Sequence, residues 1–288
     1  MYLVTGTTGN TGAVVARTLL SQGAAVLALV RDPRKATALR ESGAELVTGE
    51  LDDTAALTRA LAGADGAYFL LPPHPTSPQV LADQARIAES IAQAVARSGV
   101  KHVVLLSSIA AQHPAGTGPI RTMHGAEARL RKTGAALTFV RAAYFMENWG
   151  ASLGGVAGGV LPTFLREGLT LPMVATRDIG AAAARALAEG GKGVQIIELA
   201  GPREYSAADV AAAVSSIVGK PVVPQYGPEE AIVPTFTGFG LSADMAGLYR
   251  EMLHFFNSGG VGFEGGAARH VRGATPIEDV LRPMLAGK

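Results

Sequence analysis

Three glycines spaced three residues apart stand near the start of the chain, in the run Gly6-Thr-Thr-Gly9-Asn-Thr-Gly12. Such a turn is suited to binding a diphosphate, because a backbone without Cβ atoms lets the phosphates approach closely. An apolar run precedes the turn and a helical pattern follows it, so free N–H groups at the start of the helix would point at the phosphates. The motif therefore predicts a nucleotide-cofactor site. A tight structural turn is the alternative that the glycines alone leave open.

The residues after the next apolar run bear on which dinucleotide binds there. In NAD-binding units an acidic residue about twenty positions after the last glycine accepts hydrogen bonds from the ribose, and Asp32 stands at that distance. Arg31 could instead bind a 2′-phosphate with its planar guanidinium, and Lys35 could add positive charge. Because Asp32 precedes Pro33 at the start of a helical segment, we expect it to cap that helix. The pattern favours NADP(H) over NAD(H).

Short apolar runs alternate with amphipathic segments along the chain. The strands and helices that these segments predict must position the cofactor-binding residues. The runs are nearly continuous, which is typical of parallel strands covered by helices on both faces. The predicted strands are Ala25–Val30, Glu45–Gly49, Gly66–Leu70, Val103–Ser107, Ala136–Arg141 and Val194–Leu199. The predicted helices include Leu81–Ser98, Thr176–Glu189 and Ser206–Val218, the last opened by a capping box. The pattern predicts an α/β fold, a Rossmann doubly wound parallel sheet, with a smaller C-terminal α+β substrate lobe.

Glycines and prolines interrupt the pattern in the second half of the chain. We therefore expect residues 1–142 and 176–200 to form the cofactor-binding core, and residues 143–175 and 201–288 to form the substrate lobe. Methionine and aromatic residues recur at helical spacing between Glu229 and Gly273, which indicates the packed interior of this lobe more than a binding site.

The overall composition excludes several classes of partner and site. Lys and Arg number 25 and Asp and Glu number 24, so no net positive field favours a nucleic acid. Without cysteine there is no thiolate nucleophile, and the six histidines lack the spacing of a metal site. No stretch approaches the roughly 18 apolar residues that span a membrane. We expect a cytoplasmic, metal-free protein, monomeric or homodimeric, that binds neither nucleic acid nor membranes.

Several short motifs along the chain belong to one known pattern. Beside Val4–Gly12 they are Leu29–Pro33, Gly49–Asp53, Phe69–Pro73, Leu105–Ile109, Thr138–Arg141, Tyr144–Asn148, Asp178–Gly180 and Glu198–Pro202. Together they resemble the NmrA-like family, an atypical branch of the short-chain dehydrogenase/reductases that includes triphenylmethane reductase-like and NADPH:quinone oxidoreductase-like proteins. The resemblance covers nearly the whole chain and implies a Rossmann domain, a small C-terminal lobe and a substrate cleft between them.

The resemblance also implies where the cofactor lies along the chain. Asp52 would lie near the adenine, and the segment from Leu70 to Pro73 near the ribose and nicotinamide. The complete set of predicted cofactor contacts is Gly6, Thr8, Gly9, Asn10, Thr11, Gly12, Arg31, Lys35, Asp52, Leu70, Leu71, Pro72, Pro73 and Ser107.

The catalytic pair usual in the superfamily is missing from this chain. That pair is a Tyr-x-x-x-Lys in which the lysine lowers the pKa of the tyrosine, and alignment places Met123 and Glu127 at the two positions. Triphenylmethane reductase-like members also lack the pair, so its absence argues against ordinary ketone reduction more than against hydride transfer. The candidate catalytic groups are Ser108, His124 and Tyr144, and the candidate substrate contacts are Tyr144 and Asn148. Each also has a purely structural interpretation, as a cap, a surface residue or a packing contact.

Two classes of function fit these features. The first is an NADPH-dependent oxidoreductase that passes a hydride to a small aromatic, quinone-like or conjugated substrate. The second is a non-catalytic regulator that senses NADP(H) and acts through a protein partner. Non-redox chemistry with a bound cofactor, such as an epimerisation, is a third and weaker alternative.

Overall fold

An eight-stranded, wholly parallel sheet forms the centre of the molecule in the computed structural model, which describes residues 1–286. Its strands lie in the spatial order β3-β2-β1-β4-β5-β6-β10-β13. Their bounds are β1 Tyr2–Val4, β2 Val26–Val30, β3 Glu45–Thr48, β4 Gly66–Phe69, β5 His102–Ser108, β6 Ala136–Ala142, β10 Val194–Ala200 and β13 Arg269–Arg272. The order reverses between β1 and β4, which is where doubly wound sheets bind ligands. The predicted fold class is confirmed.

Helices cover both faces of this sheet. The α-helices of the described chain, including those that do not lie on this sheet, are α1 Asn10–Ser21, α2 Thr37–Glu41, α3 Thr54–Leu61, α4 Val80–Ser98, α5 Arg121–Leu130, α6 Thr176–Glu189, α7 Ala207–Val218, α8 Ile232–Gly238, α9 Ala243–Asn257 and α10 Ile277–Leu285. Helices α1 and α6 pack on one face, and α3, α4 and α5 pack on the other. The central strands β4, β5 and β6 are almost wholly buried, as their continuous apolar runs predict, whereas the edge strand β3 is partly exposed.

The predicted elements are found with small shifts at their ends. Each predicted strand is present, and Val194–Leu199 joins the main sheet as β10 beside β6. Helix α4 ends at Gly99, whose φ of +72° is the left-handed conformation that suits glycine at a helix end. Ser206 and Asp209 form the capping box predicted for α7.

Two small sheets and a separate apolar core lie in the second half of the chain. One sheet contains β7 Tyr144–Phe145, β9 Thr170–Val174 and β11 Glu204–Ser206, and the other contains β8 Val160–Thr163 and β12 Val223–Tyr226. Their core includes Trp149, Met252 and Phe256. The methionine and aromatic residues of α9 are thus largely interior, whereas Phe239, which follows α8, is 65% exposed.

One strand of the main sheet falls outside the predicted core. The segment Arg269–Arg272 pairs with β10 as β13, although it lies within the residues that the sequence analysis assigns to the substrate lobe. Its sequence, Arg-His-Val-Arg, has a single apolar side chain, because an edge strand leaves most of its side chains in water. Residues 287 and 288 of the predicted lobe lie outside the described residues. Within residues 1–286, no helix has the length and apolar character needed to cross a bilayer.

Candidate functional site

A cleft of about 170 Å³ opens where β1, β2, β3 and β4 end. Because the strands are parallel, their carboxyl ends and the loops that follow them meet at one edge of the sheet. The predicted cofactor residues that line this cleft are Gly6, Thr8, Arg31, Asp52, Leu70 and Pro72. Glu50 and His74 line it as well and were not predicted, although Glu50 lies within the motif Gly49–Asp53 and His74 directly follows the motif Phe69–Pro73.

The glycine turn has the geometry that close approach of a ligand requires. Gly6 has a φ of +64°, and a Cβ placed on it would lie 2.6 Å from Leu70 Cδ2. A Cβ on Gly12 would lie 2.4 Å from the carbonyl oxygen of Thr5, so α1 packs directly on the end of β1. Only glycine fits either position.

The start of α1 is open to an anion. Its N-cap residue is Gly9, which has no side chain to accept from the first N–H groups, and the first turn contains no acidic residue. The Thr7 hydroxyl is buried and has no hydrogen-bond partner within residues 1–286. Free N–H groups, the positive end of the helix dipole and an unpartnered hydroxyl are the donors that a diphosphate needs. The turn therefore fits a dinucleotide.

The side chains at the end of β2 separate into one paired carboxylate and free cations. Asp32 accepts hydrogen bonds from Arg34 N at 3.0 Å, Arg34 Nε at 2.9 Å and Arg34 Nη2 at 3.0 Å. These bonds lower the pKa of Asp32, and they confirm that it caps the short 3-10 helix Pro33–Ala36. Arg31 and Lys35 are exposed, and neither forms an ion pair within the described chain. Positive charge is thus available beside the cleft, whereas both oxygens of the nearby carboxylate are already engaged.

Several other predicted cofactor residues have side chains committed elsewhere. The Thr11 hydroxyl is buried and accepts a hydrogen bond from the Tyr68 hydroxyl at 3.0 Å, so this side chain is engaged within the protein. Ser107 is buried and donates to Glu127 Oε1 at 2.6 Å. The predicted contacts that do not line the cleft are Gly9, Asn10, Thr11, Gly12, Lys35, Leu71, Pro73 and Ser107.

Glu127, at the position of the usual catalytic lysine, is part of a buried ion pair. Arg141 Nε donates to Glu127 Oε1 at 2.9 Å and Arg141 Nη2 donates to Glu127 Oε2 at 2.7 Å, and the two side chains are only 4% and 5% exposed. A third nitrogen of Arg141 donates to Glu264. Burial alone would lower the pKa of Arg141, but the bonds to Glu127 and Glu264 hold it above its ordinary value. This arrangement joins α5 to β6 in the protein interior. Position 123 is a methionine and position 127 a carboxylate bonded to Arg141, so neither half of a Tyr-Lys pair is present there.

Ser108 and His124 lie near the end of β5. Ser108 is the last residue of the strand and is half-buried, and its carbonyl accepts from Ala111 N at 3.1 Å. His124 Nδ1 lies 3.0 Å from the Ala111 carbonyl, which can only accept, so Nδ1 carries the proton. Between them Ala110 has a φ of +65° although it is not glycine. Strained backbone of this kind often lies at functional sites, and nothing in the sequence around Ala110 indicates it.

Tyr144 lies among aromatic side chains from α9. Its ring meets Phe256 edge-on with 6.2 Å between the ring centroids. Burial raises the pKa of the Tyr144 hydroxyl above its ordinary value, the nearby Tyr249 raises it further, and Asn148 opposes the shift. A tyrosine with a raised pKa is a weak proton donor, in contrast to the lysine-activated tyrosine of the superfamily. Asn148 is exposed on the 3-10 helix that follows β7.

Comparison with known proteins gives relatives along most of the chain. The chain is 31% identical over 255 residues to an NAD(P)H azoreductase of Xenophilus azovorans, which covers 88% of this chain and 86% of the relative. It is 35% identical over 223 residues to a (4-alkanoyl-5-oxo-2,5-dihydrofuran-3-yl)methyl phosphate reductase of Streptomyces griseus subsp. griseus, which covers 77% of this chain and 75% of the relative. Both relatives are named for reductions of small molecules.

The fold is shared with solved structures over its full length. An NADPH-dependent quinone oxidoreductase of Escherichia coli, solved in complex with NADPH, superimposes with a TM-score of 0.83 at 24% identity. The match covers 99% of this chain and 100% of that chain. The family model described as "NmrA-like family" matches residues 2–265. With its Rossmann core, its glycine turn and this match over most of its length, the chain belongs to the NmrA-like family.

Proposed function

We propose that this protein is an NADPH-dependent oxidoreductase that reduces a small quinone-like, aromatic or conjugated molecule without a Tyr-Lys catalytic pair. The oxidoreductase class agrees with its curated relatives, which are named as an NAD(P)H azoreductase and a (4-alkanoyl-5-oxo-2,5-dihydrofuran-3-yl)methyl phosphate reductase. Both names are those of reductases that act on unsaturated small molecules.

The observation that carries this proposal is the distribution of donors and charges around the cleft at the end of β1. The uncapped start of α1 supplies N–H groups for a diphosphate. Arg31 supplies a free guanidinium beside it, while Arg34 occupies the carboxylate of Asp32. A 2′-phosphate would therefore meet an unpaired cation and a neutralised acid, which supports NADP(H) over NAD(H).

The surroundings of the proposed reaction site limit the acceptor to one that needs little acid catalysis. Bound NADPH would supply the hydride, and a neutral acceptor would also need a proton from water or a nearby hydroxyl, whereas a cationic dye would need the hydride alone. Burial raises the pKa of Tyr144 and so makes its hydroxyl a weaker acid, and Arg141 engages both carboxylate oxygens of Glu127, so neither resembles the activated tyrosine of a Tyr-Lys pair. Quinones, azo groups and conjugated carbonyl compounds accept a hydride readily because their own electron deficiency stabilises the added charge. Tyr144, Asn148, Ser108 and His124 are the side chains that we propose to contact such a substrate.

The direct test follows the loss of NADPH absorbance with a panel of acceptors. The panel contains quinones, azo dyes, cationic triphenylmethane dyes and conjugated lactones, with a simple ketone as the negative control. Saturable turnover with one of the first four classes and none with the ketone is the expected result. Failure of every acceptor, in a protein that binds NADPH, would overturn the proposed reaction.

That same failure would favour the second candidate function, a regulator that senses NADP(H). The specific observation behind this alternative is the pair of residues at the catalytic positions, Met123 and the buried Glu127. A sensor needs the cofactor cleft and has no need of a proton donor. Turnover with any acceptor at a saturable rate would exclude a purely regulatory role.

A further inference from the structure

The loop between β4 and α4 forms one wall of the cofactor cleft. Leu70, Pro72 and His74 on this loop line the cleft, and the loop ends where α4 begins at Val80. Within α4, Gln84 is buried and donates from its amide to the Pro72 carbonyl at 2.6 Å. The conformation of this loop therefore sets the position of one wall of the cleft.

The start of α9, far away in sequence, holds the same loop by three hydrogen bonds. Ser242 N donates to the Pro75 carbonyl at 2.8 Å, and Ser242 Oγ donates to the Ser77 carbonyl at 2.5 Å. Asp244 Oδ2 accepts from Val80 N at 2.8 Å. Asp244 is thus the cap of a helix that lies 164 residues before it in the chain.

The charge at this junction suits both helices. Asp244 stands in the first turn of α9 and also accepts from the first N–H of α4, so its carboxylate lies at the positive ends of two helix dipoles. The residue preceding α4, Gln79, makes no capping hydrogen bond of its own. Asp244 therefore supplies the acceptor that the local sequence of α4 lacks.

A small apolar cluster supports the same junction. Val80 of α4 packs with Met245 and Leu248 of α9, and all three are nearly fully buried. The cluster is separate from the larger cores of the molecule, and Tyr249 packs at its edge. Tyr249 is also the group that, with burial, raises the pKa of Tyr144. Helix α9 thus connects the wall of the cofactor cleft with the proposed substrate side.

We propose that Asp244 and Ser242 are positioning residues for the cofactor: through Val80, Pro75 and Ser77 they hold the β4–α4 loop in the conformation that binds the dinucleotide. The inference rests on the proposed function, because it assumes that NADPH occupies the cleft. When the junction is weakened, the loop samples other conformations. The apparent affinity for the dinucleotide then falls in proportion to the fraction of molecules that keep the binding conformation. The chemical step at saturating cofactor is unaffected.

The test compares Asp244→Ala with Asp244→Asn, which keeps an acceptor oxygen but loses the charge. We expect the Kd for NADPH to rise about three- to tenfold in Asp244→Ala, with kcat at saturating NADPH within about twofold of wild type. Asp244→Asn should recover most of the affinity. The control is Glu278→Ala, which removes an acid from the first turn of α10, away from the cleft, and should leave the Kd unchanged.

A second measurement needs no variant. NADPH bound to the wild-type protein should slow amide hydrogen exchange at Val80 and Ser242, because binding and the junction stabilise each other. An unchanged Kd in Asp244→Ala, or unchanged exchange at both amides on binding, would overturn this inference while leaving the proposed function intact. Absence of NADPH binding by the wild type would overturn both.

Discussion

Glu127 on α5 and Arg141 on β6 share two parallel hydrogen bonds, of 2.9 and 2.7 Å, in the interior between helix and sheet. Ser107 on β5 donates to the same carboxylate at 2.6 Å. Three consecutive parts of the fold are thus joined at the position where related enzymes carry a catalytic lysine. Under the proposed function, this chain therefore carries a structural ion pair where the sequence analysis expects a catalytic lysine in the superfamily, and no lysine stands there to activate a tyrosine.

A lysine introduced at position 127 should therefore destabilise the protein without activating it. Glu127→Lys places a second cation beside Arg141 in a buried environment, and breaking such a pair costs about 3–5 kcal/mol. We expect the free energy of unfolding in urea to fall by that amount with no gain in ketone reduction. The control is Glu89→Lys, which breaks a half-exposed pair with Arg129 and should cost less than about 1 kcal/mol. Wild-type stability in Glu127→Lys would contradict the structural role.

Gly12 should tolerate no side chain. A Cβ there would lie 2.4 Å from the Thr5 carbonyl oxygen, so Gly12→Ala must push α1 away from β1. We expect a loss of about 1–3 kcal/mol of stability together with weaker NADPH binding. Gly247→Ala, within α9 and with open space around it, should be neutral or stabilising. Equal behaviour of the two variants in thermal unfolding and NADPH titration would refute the close packing of α1 on β1.

His102 should make the protein sensitive to acid. It is 4% exposed, and burial lowers its pKa below the ordinary value, so the folded state resists the protonation that the unfolded chain accepts. The stability it contributes is complete above the unfolded pKa of about 6.5 and declines as the pH falls below it, by at most about 1.4 kcal/mol per pH unit.

Urea unfolding at several pH values tests this effect. In His102→Gln the loss of stability below neutral pH should be smaller than in wild type. His254→Gln, which replaces a histidine that is 66% exposed, should lose stability as wild type does. A steeper loss in His102→Gln would mean that the buried ring is not held neutral.

Removal of the candidate proton donors should change rates little. Burial and Tyr249 raise the pKa of Tyr144, so its hydroxyl stays protonated across the working range and gives no basic limb to the pH profile. We expect Tyr144→Phe, His124→Gln and Ser108→Ala each to lower kcat by less than about tenfold without moving the profile. A loss of about a hundredfold or more, or a lost limb in the pH–rate profile of any variant, would identify a side-chain acid.

The sequence predicts the parts of the fold that depend on local patterns. The N-cap at Asp32 follows from its position before Pro33, and the buried strands follow from continuous apolar runs. Strand β13 was missed because an edge strand needs little apolar surface, and Arg269–Arg272 has only one apolar side chain. Strand β13 forms only because it pairs with β10, and no local pattern in residues 269–272 shows that pairing.

The site was predictable only where a motif determines backbone geometry. The glycine turn and Arg31 lie at the cleft because the turn and the strand end are set by nearby residues. The partners of Glu127 and of Val80 could not be foreseen, since Arg141 and Asp244 reach them across the fold. The left-handed backbone of Ala110 has no sequence signal, because alanine does not ordinarily adopt it.

The central claim is that the turn at Gly6 binds a dinucleotide while Arg31 binds its 2′-phosphate. Titration calorimetry of NADPH and NADH with the wild type, Arg31→Ala and Arg40→Ala tests it most directly, because Arg40 is an exposed arginine that does not line the cleft. We expect tighter binding of NADPH than of NADH, a loss of about tenfold or more for NADPH alone in Arg31→Ala, and no change in Arg40→Ala. Tighter binding of NADH that is unaffected by Arg31→Ala, or no heat with either dinucleotide, would contradict the account.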